Sequence, residues 1–100
     1  MKVLNVTSWE APKSKEKVDK YYENLNKYRD YRQKRVDKFN VKSSGWSDGT
    51  GRIYNVMEFD SYEAFAKFMD DEEYQKNMVF FNRLVKNVRV RLFRESLATQ

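Results

Sequence analysis

A strand that runs straight into a capped helix is the feature that most constrains how this chain can fold. Residues 52–59 are rich in the β-branched and aromatic side chains that favour strands. Ser61 follows at a position suited to an N-cap, and Glu63 lies in the first turn of the helix that begins at Tyr62. The residues of this helical region that are predicted to face a core are Phe65, Phe68, Met69, Met78, Phe81 and Leu84 or Val85. Such an apolar stripe predicts a helix packed on a sheet.

The remaining segments supply three more strands and a long first helix. The predicted elements are strands at 2–9, 41–47, 52–59 and 87–95, a helix from Lys15 to about Phe39, and a helix from Tyr62 that is interrupted at 70–72 and continues to Val85. Asp48-Gly49 is a hairpin signal between the second and third strands. Residues 1–100 are expected to form one domain, with 96–100 as a loose tail.

The order β-α-β-β-α-β predicts an α+β, ferredoxin-like fold. Its four strands form one antiparallel sheet, and both helices cover the same face of that sheet. The other face, which we call the open face, is left uncovered by the helices. A functional surface is therefore expected on the open face.

Alternation along each strand predicts which side chains reach the open face. With Leu4 and Val6 placed against the helices, the first and last strands turn the following residues outward: Val3, Asn5, Thr7, Trp9, Arg89 and Arg91. Strand 52–59 is ambiguous. Placing its more apolar side inward adds Tyr54 and Glu58 to the open face and turns Asn55 towards the helices.

The predicted ligand-binding residues combine aromatic, amide and charged groups. They are Asn5, Trp46, Tyr54, Glu58, Arg89 and Arg91. Arg89 and Arg91 have the geometry to clamp an anionic ligand, but a structural salt bridge from one of them to Glu58 is the expected use. Trp46 fits a pocket wall or a subunit contact equally well.

The absence of two residue types restricts the chemistry of any site. The chain has no cysteine and no histidine, which excludes disulfides, thiolate metal sites and a histidine-anchored haem. No metal or cofactor is expected. Proton transfer would depend on a carboxylate, a tyrosine, a lysine or the substrate itself.

Charge is unevenly distributed along the chain. The net charge is +5, with basic residues concentrated in 13–42 and 76–95 and acidic residues in 58–73. Solvated helix faces explain this pattern most simply. Attraction of an anionic partner, or pairing of two copies basic on acidic, is the alternative. Because the apolar run at 1–9 is too short for a signal peptide or a membrane span, a cytoplasmic protein without membrane contact is expected.

A family resemblance rests on the element order and on two short motifs. With Glu58-Phe59-Asp60-Ser61-Tyr62-Glu63-Ala64 and Glu73-Tyr74-Gln75, the chain resembles the dimeric α+β barrel superfamily, which includes the antibiotic-biosynthesis-type monooxygenases. The resemblance implies a homodimer whose two sheets pack open face to open face. It also implies a small cavity between sheet and helices in each subunit, which would bind an anionic or aromatic molecule.

The monooxygenase branch often has an asparagine on its first strand and a tryptophan that lines the cavity. The resemblance therefore points to Asn5 and, more loosely, to Trp46. The haem-degrading branch needs a histidine that this chain lacks. What the resemblance implies is a cofactor-free oxygenase or isomerase acting on an acidic phenol or quinol, with Asn5, Tyr54 or Arg89 as the candidate catalytic residues that stabilise negative charge.

Two alternatives stay open. Residues 52–59 partly resemble the third-strand signature of RNA-recognition motifs, with Tyr54 at a base-stacking position. The glycine and the second aromatic of that signature are missing, the first strand has no stacking aromatic and the first helix is long for this module, so nucleic acid binding is the less favoured function. A non-catalytic dimer, structural or ligand-binding, is the other alternative.

Overall fold

The computed structural model describes residues 1–96, so the predicted loose tail falls almost wholly outside the described residues. The described part contains four strands and four helices. In chain order they are β1 (Val3–Glu10), α1 (Lys15–Lys27), α2 (Arg29–Lys38), β2 (Lys42–Ser47), β3 (Arg52–Phe59), α3 (Tyr62–Met69), α4 (Glu72–Leu84) and β4 (Lys86–Arg94). None of the helices within residues 1–96 has the length and apolar character needed to cross a membrane.

The strands form one antiparallel sheet in the order β2-β3-β1-β4. Strand β1 lies in the interior of the sheet and pairs along its whole length with β3, from Val3 opposite Phe59 to Glu10 opposite Arg52. On its other side β1 pairs with β4, with an irregularity between Ser8 and Glu10. The predicted ferredoxin-like topology is confirmed.

The helices begin where the sequence provides caps. The side chains of Ser14, Ser61 and Asp71 accept hydrogen bonds from backbone N–H groups three residues further on, at 3.4, 3.1 and 3.2 Å. Each of these bonds satisfies a donor that the first turn of a helix otherwise leaves unpaired. The break between α3 and α4 is also where the acidic run at 70–72 predicts it.

The prediction of a single helix from Lys15 to about Phe39 is wrong, because the helix is interrupted at Tyr28 and divided into α1 and α2. Tyr28 ends α1 and starts α2 without a side-chain cap. Arg35 is buried in α2 and contacts the α3–α4 junction.

The predicted orientation of β1 is reversed. Val3, Asn5, Thr7 and Trp9 are buried on the helix-covered face, whereas Leu4 and Val6 lie on the open face. Strands β3 and β4 have the predicted orientation, since Asn5 lies opposite Met57 and Leu92. The open face of the structure therefore includes Leu4, Val6, Trp46, Tyr54, Val56, Glu58, Arg89, Arg91 and Phe93.

Two separate hydrophobic clusters form the core. The terminal cluster joins the two ends of the chain through Trp9, Tyr21, Phe81, Leu84 and Val85. The middle cluster consists of Val41, Met57, Phe59 and Phe68, with partly buried neighbours between Phe39 and Tyr74. Aromatic rings meet edge to face in both, at 5.0 Å for Trp9–Phe81 and 5.3 Å for Phe59–Phe68.

Candidate functional site

A cavity of about 790 Å³ lies between the helix-covered face of the sheet and helices α1, α2 and α4. It is bordered by Trp9, Tyr21 and Phe81 of the terminal cluster and by Val41, Met57 and Phe68 of the middle cluster. The gap between the two clusters is thus the space in which a small molecule would fit.

Polar side chains of three strands form the floor of the cavity. Thr7 and Asn55 are direct cross-strand neighbours in β1 and β3. The hydroxyl of Ser43 donates to Asn55 Oδ1 at 3.2 Å, and the hydroxyl of Thr7 donates to Asn5 Oδ1 at 3.2 Å. We call Asn5, Thr7, Ser43 and Asn55 the polar seam. Because a buried polar group is costly without a partner, a polar seam beneath two apolar clusters marks a place built for polar contacts.

Two amides on the helices belong to the same polar interior. Asn24 of α1 is 4% exposed and lines the cavity together with Asn77 of α4. The Asn24 amide donates to Asn77 Oδ1 at 3.5 Å, which ties the two helices together. The cavity therefore has hydrogen-bonding groups both on its floor and on its helical side.

An aromatic pair forms one wall. The indole N–H of Trp9 donates to the hydroxyl oxygen of Tyr21 at 3.2 Å, and both rings contact Phe81. Burial raises the pKa of Tyr21, with the bond from Trp9 acting in the opposite direction to a smaller extent. Tyr21 is therefore a neutral phenol at ordinary pH, and its own proton can be donated into the cavity.

Arg35 closes the side of the cavity formed by α2. Its guanidinium donates to the carbonyl of Phe68 at 2.8 Å and to the hydroxyl of Tyr31 at 3.2 Å, and it forms an ion pair with Asp71. It also lies 4.3 Å from the ring centre of Phe68 and 4.6 Å from that of Tyr74, both cation–π distances. Within residues 1–96 its Nε atom has no hydrogen-bond partner.

No carboxylate lines the cavity within the described part of the chain, whereas three arginines do. Asp71 is outside the lining, since it is used by Arg35, by Tyr31 and by the first turn of α4. In residues 1–96 no three carboxylates are grouped so that they could hold a metal ion. The cavity walls thus supply hydrogen bonds and positive charge, and no ordinary general base.

Comparison with solved structures identifies the architecture. A protein from Deinococcus radiodurans assigned to the antibiotic biosynthesis monooxygenases superposes with a TM-score of 0.70 at 12% identity, covering 96% of this chain and 93% of that one. The chain has the fold of these monooxygenases. Neither a family model nor a curated protein matches the sequence.

Two further structures extend the comparison. SnoaB, a cofactor-independent oxygenase from Streptomyces nogalater, has a TM-score of 0.60 at 12% identity over 96% of both chains. A dimeric ferredoxin-like protein of unknown function from Thermobifida fusca has a TM-score of 0.62 at 9% identity, covering 95% of this chain and 92% of that one. At such low identities the likeness establishes the monooxygenase fold and not the activity.

Within this monooxygenase fold, the predicted ligand-binding residues are split between the two faces of the sheet. Asn5 is 1% exposed and lies on the cavity side, bonded to Thr7. Trp46, at 63% exposed, lies on the open face, so the tryptophan that lines the cavity is Trp9 and not Trp46. Tyr54 borders the cavity, but its phenol lies on the open face, where it donates to Asp48 at 3.0 Å.

The charged members of the predicted set also lie on the open face. Glu58 forms its ion pair with Lys42 at 3.6 Å, so the predicted salt bridge to Arg89 or Arg91 is wrong. Arg89 and Arg91 are exposed on β4, at the edge of the sheet. None of these three side chains lines the cavity.

Sequence reasoning missed most of the residues that line the cavity of this monooxygenase fold. Asn55 carried the available signal, because it lies between Ile53 and Met57 on the inward side of β3. A polar residue at such a position indicates a buried polar contact or a cavity. Arg29 and Arg32 carried no comparable signal, since arginines on a helix are usually solvated.

Proposed function

We propose that this protein binds a small aromatic molecule in the cavity and acts on it as a cofactor-independent monooxygenase. The observation that supports this proposal is the pairing of the Trp9–Tyr21 wall with the polar seam, in a cavity that no carboxylate lines within residues 1–96. Such a site holds a ring and stabilises negative charge on an oxygen atom. It favours a substrate that is acidic enough to ionise without a protein base.

The chemistry can be written for a quinol. The bound quinol loses a proton from oxygen to water, and the anion transfers electrons to molecular oxygen. One oxygen atom forms a new bond to ring carbon and the other leaves as water, so that one quinol and one O2 give one hydroxyquinone and one H2O. The substrate supplies all four electrons, and no cofactor is required.

The polar seam would stabilise the oxyanion during this reaction. Asn55 lines the cavity, and its NH2 group can donate hydrogen bonds there because the bond from Ser43 is accepted by its Oδ1. Thr7 lies beside Asn55 and donates its hydroxyl proton to Asn5 at 3.2 Å, so the donor that the polar seam offers to an oxyanion is the Asn55 amide. Preorganised donors of this kind lower the energy of a transition state that carries negative charge.

Oxygen uptake with 1,4-naphthohydroquinone tests the proposed reaction. We expect protein-dependent uptake that yields 2-hydroxy-1,4-naphthoquinone with one atom from 18O2 and no hydrogen peroxide. Asn55→Leu should reduce the rate about 100-fold, as removal of one oxyanion donor does. Ser44→Ala, which removes a hydroxyl on the opposite face of the sheet, is the control and should leave the rate unchanged. Peroxide as the only reduced product, or uptake equal to the protein-free rate, would contradict the monooxygenase proposal. Binding without turnover would favour a ligand-binding dimer instead.

We also propose that two copies associate through the open face. Leu4, Val6 and Val56 form an apolar centre, and Trp46 and Phe93 are 63% and 45% exposed beside it. Exposed aromatics around an apolar centre are typical of subunit interfaces. The likeness to a dimeric ferredoxin-like protein adds support.

Light scattering over a range of protein concentrations, with and without single-stranded RNA, tests the association. We expect a homodimer that persists in high salt and does not change on addition of RNA. The competing function uses the same surface, because Trp46 and Tyr54 could stack bases beside Arg91. A monomer that binds RNA with a steep dependence on salt would refute the dimer and establish the RNA-binding alternative.

A further inference from the structure

The cavity has an excess of positive charge along one element, helix α2. Arg29, Arg32 and Arg35 all line the cavity. Arg35 is neutralised by Asp71. Within residues 1–96, neither Arg29 nor Arg32 forms a salt bridge. Two of the three positive charges at the cavity are therefore without a counter-ion in the described part of the chain.

Arg29 and Arg32 are held side by side. They are three residues apart on α2, which places them on the same side of the helix. The Arg32 guanidinium donates to the carbonyl of Leu25 at 2.7 Å, so it is anchored against the end of α1. Partial burial, and secondarily the charge of Arg29, lowers the pKa of Arg32. Both side chains are exposed as well as lining the cavity, and two adjacent cations without counter-ions gain from binding an anion.

Tyr21 connects these arginines to the aromatic wall. Its hydroxyl oxygen accepts the bond from Trp9, and its proton remains available as a donor. Arg32 is bonded to the carbonyl of Leu25, which lies one helical turn from Tyr21 on the same side of α1, and all three residues line the cavity. If the arginines bind the anionic group of an aromatic ligand, the ring of that ligand therefore lies towards Trp9.

We propose that the ligand is a small aromatic carboxylic acid, with its carboxylate bound by Arg29, Arg32 and the Tyr21 hydroxyl. This inference rests on the proposed function, since it assigns the substrate class of the same cavity. The ring packs along Trp9 and Phe81, and the opposite end of the molecule reaches the polar seam. Guanidinium groups recognise carboxylates by paired hydrogen bonds, so Arg29 and Arg32 select the charged ligand over a neutral one of the same shape.

Two probes of equal shape, 2-naphthoate and 2-naphthamide, test this assignment. In a Trp46→Phe background, Trp9 is the single tryptophan and reports directly on the cavity. We expect 2-naphthoate to bind at least tenfold more tightly than 2-naphthamide, by fluorescence and by calorimetry. Arg29→Gln combined with Arg32→Gln should abolish this difference and leave the affinity for 2-naphthamide within about twofold.

Lys34→Gln combined with Lys38→Gln is the matched control. It removes the same charge from the same helix, at exposed residues that do not line the cavity. The tenfold preference should survive in this control. Equal affinity for the two probes, or an unchanged preference in the Arg29/Arg32 variant, would overturn the carboxylate assignment while leaving the aromatic cavity in place. Failure of both probes to bind would overturn the proposed function and the assignment together.

Discussion

The ion pair between Arg35 and Asp71 should be highly asymmetric in its contribution to stability. The side chain of Arg35 is 7% exposed and that of Asp71 is 32% exposed. Asp71→Ala leaves a buried guanidinium without its counter-ion, which costs about 3–5 kcal/mol, and it removes the N-cap of α4, worth about 1 kcal/mol. Because Asp71 is 32% exposed and its charge is partly screened by water, we expect Asp71→Ala to lower the free energy of unfolding by the lower end of this sum, roughly 4 kcal/mol.

Substitution of the other partner of this ion pair, Arg35, should lower the free energy of unfolding much less. Arg35→Met removes the buried charge together with its unpaired Nε atom, and it retains an apolar side chain among the rings of Phe68 and Tyr74. Asp71 keeps the hydroxyl of Tyr31 and the backbone N–H of Tyr74, and it is open to water. Replacing a buried ion by a well-packed apolar group is often close to neutral, so we expect a loss of about 1–2 kcal/mol.

Urea denaturation of both single variants and of the double variant measures the asymmetry. With a slope of about 1–2 kcal/mol per molar urea, a loss of about 4 kcal/mol moves the midpoint by about 2–4 M. The double variant should be less destabilised than Asp71→Ala alone, because no buried charge is left unpaired. Asp70→Ala, at the exposed neighbouring acid, is the control and should change stability by less than about 0.5 kcal/mol. Equal losses in the two single variants, or simple additivity in the double variant, would refute the reasoning.

Further predictions concern the open face and two buried tyrosines. Val6→Glu should place a charge in the proposed interface and halve the mass measured by light scattering, whereas a stable dimer of this variant would contradict that interface. Burial raises the pKa of Tyr74 above its ordinary value of 10.0. The contribution of Tyr74 to stability is therefore constant below pH 10 and is lost as the pH rises through the folded-state pKa. Tyr74→Phe should flatten this alkaline decline in the free energy of unfolding, measured by urea titrations from pH 8 to pH 11. Tyr21→Phe leaves the Trp9 indole without its acceptor and should cost about 1–2 kcal/mol, with a change in the Trp9 emission spectrum as a second readout.

The sequence predicts the element order and the helix starts well because those signals are local. Ser61 caps α3 and Asp48-Gly49 forms the β2–β3 turn, and each depends on residues only a few positions away. Strand β1 lacks such a signal. Its two sides are both partly apolar, since one faces the core and the other forms the centre of the open face. Hydrophobicity alone therefore cannot orient Leu4 and Val6.

The cavity escapes prediction for a related reason. Asn5 and Thr7 look like surface residues until β3 places Asn55 beside them and two helices cover them. Arg35 looks like one more solvated arginine of a highly charged helix, yet it is buried, and its counter-ion Asp71 comes from a distant part of the sequence. Contacts of this kind join residues that are distant in the sequence, and a single sequence does not show which distant residues meet.

The division of the core into two clusters has a consequence for the order in which the chain assembles. All members of the middle cluster and its partly buried neighbours lie between Phe39 and Tyr74, so they can meet by closing short loops. The terminal cluster must join Trp9 to Val85, and β1 must enter between β3 and β4. During synthesis β1 therefore leaves the ribosome before both of its neighbours, and it acquires its full set of partners only when β4 has been made.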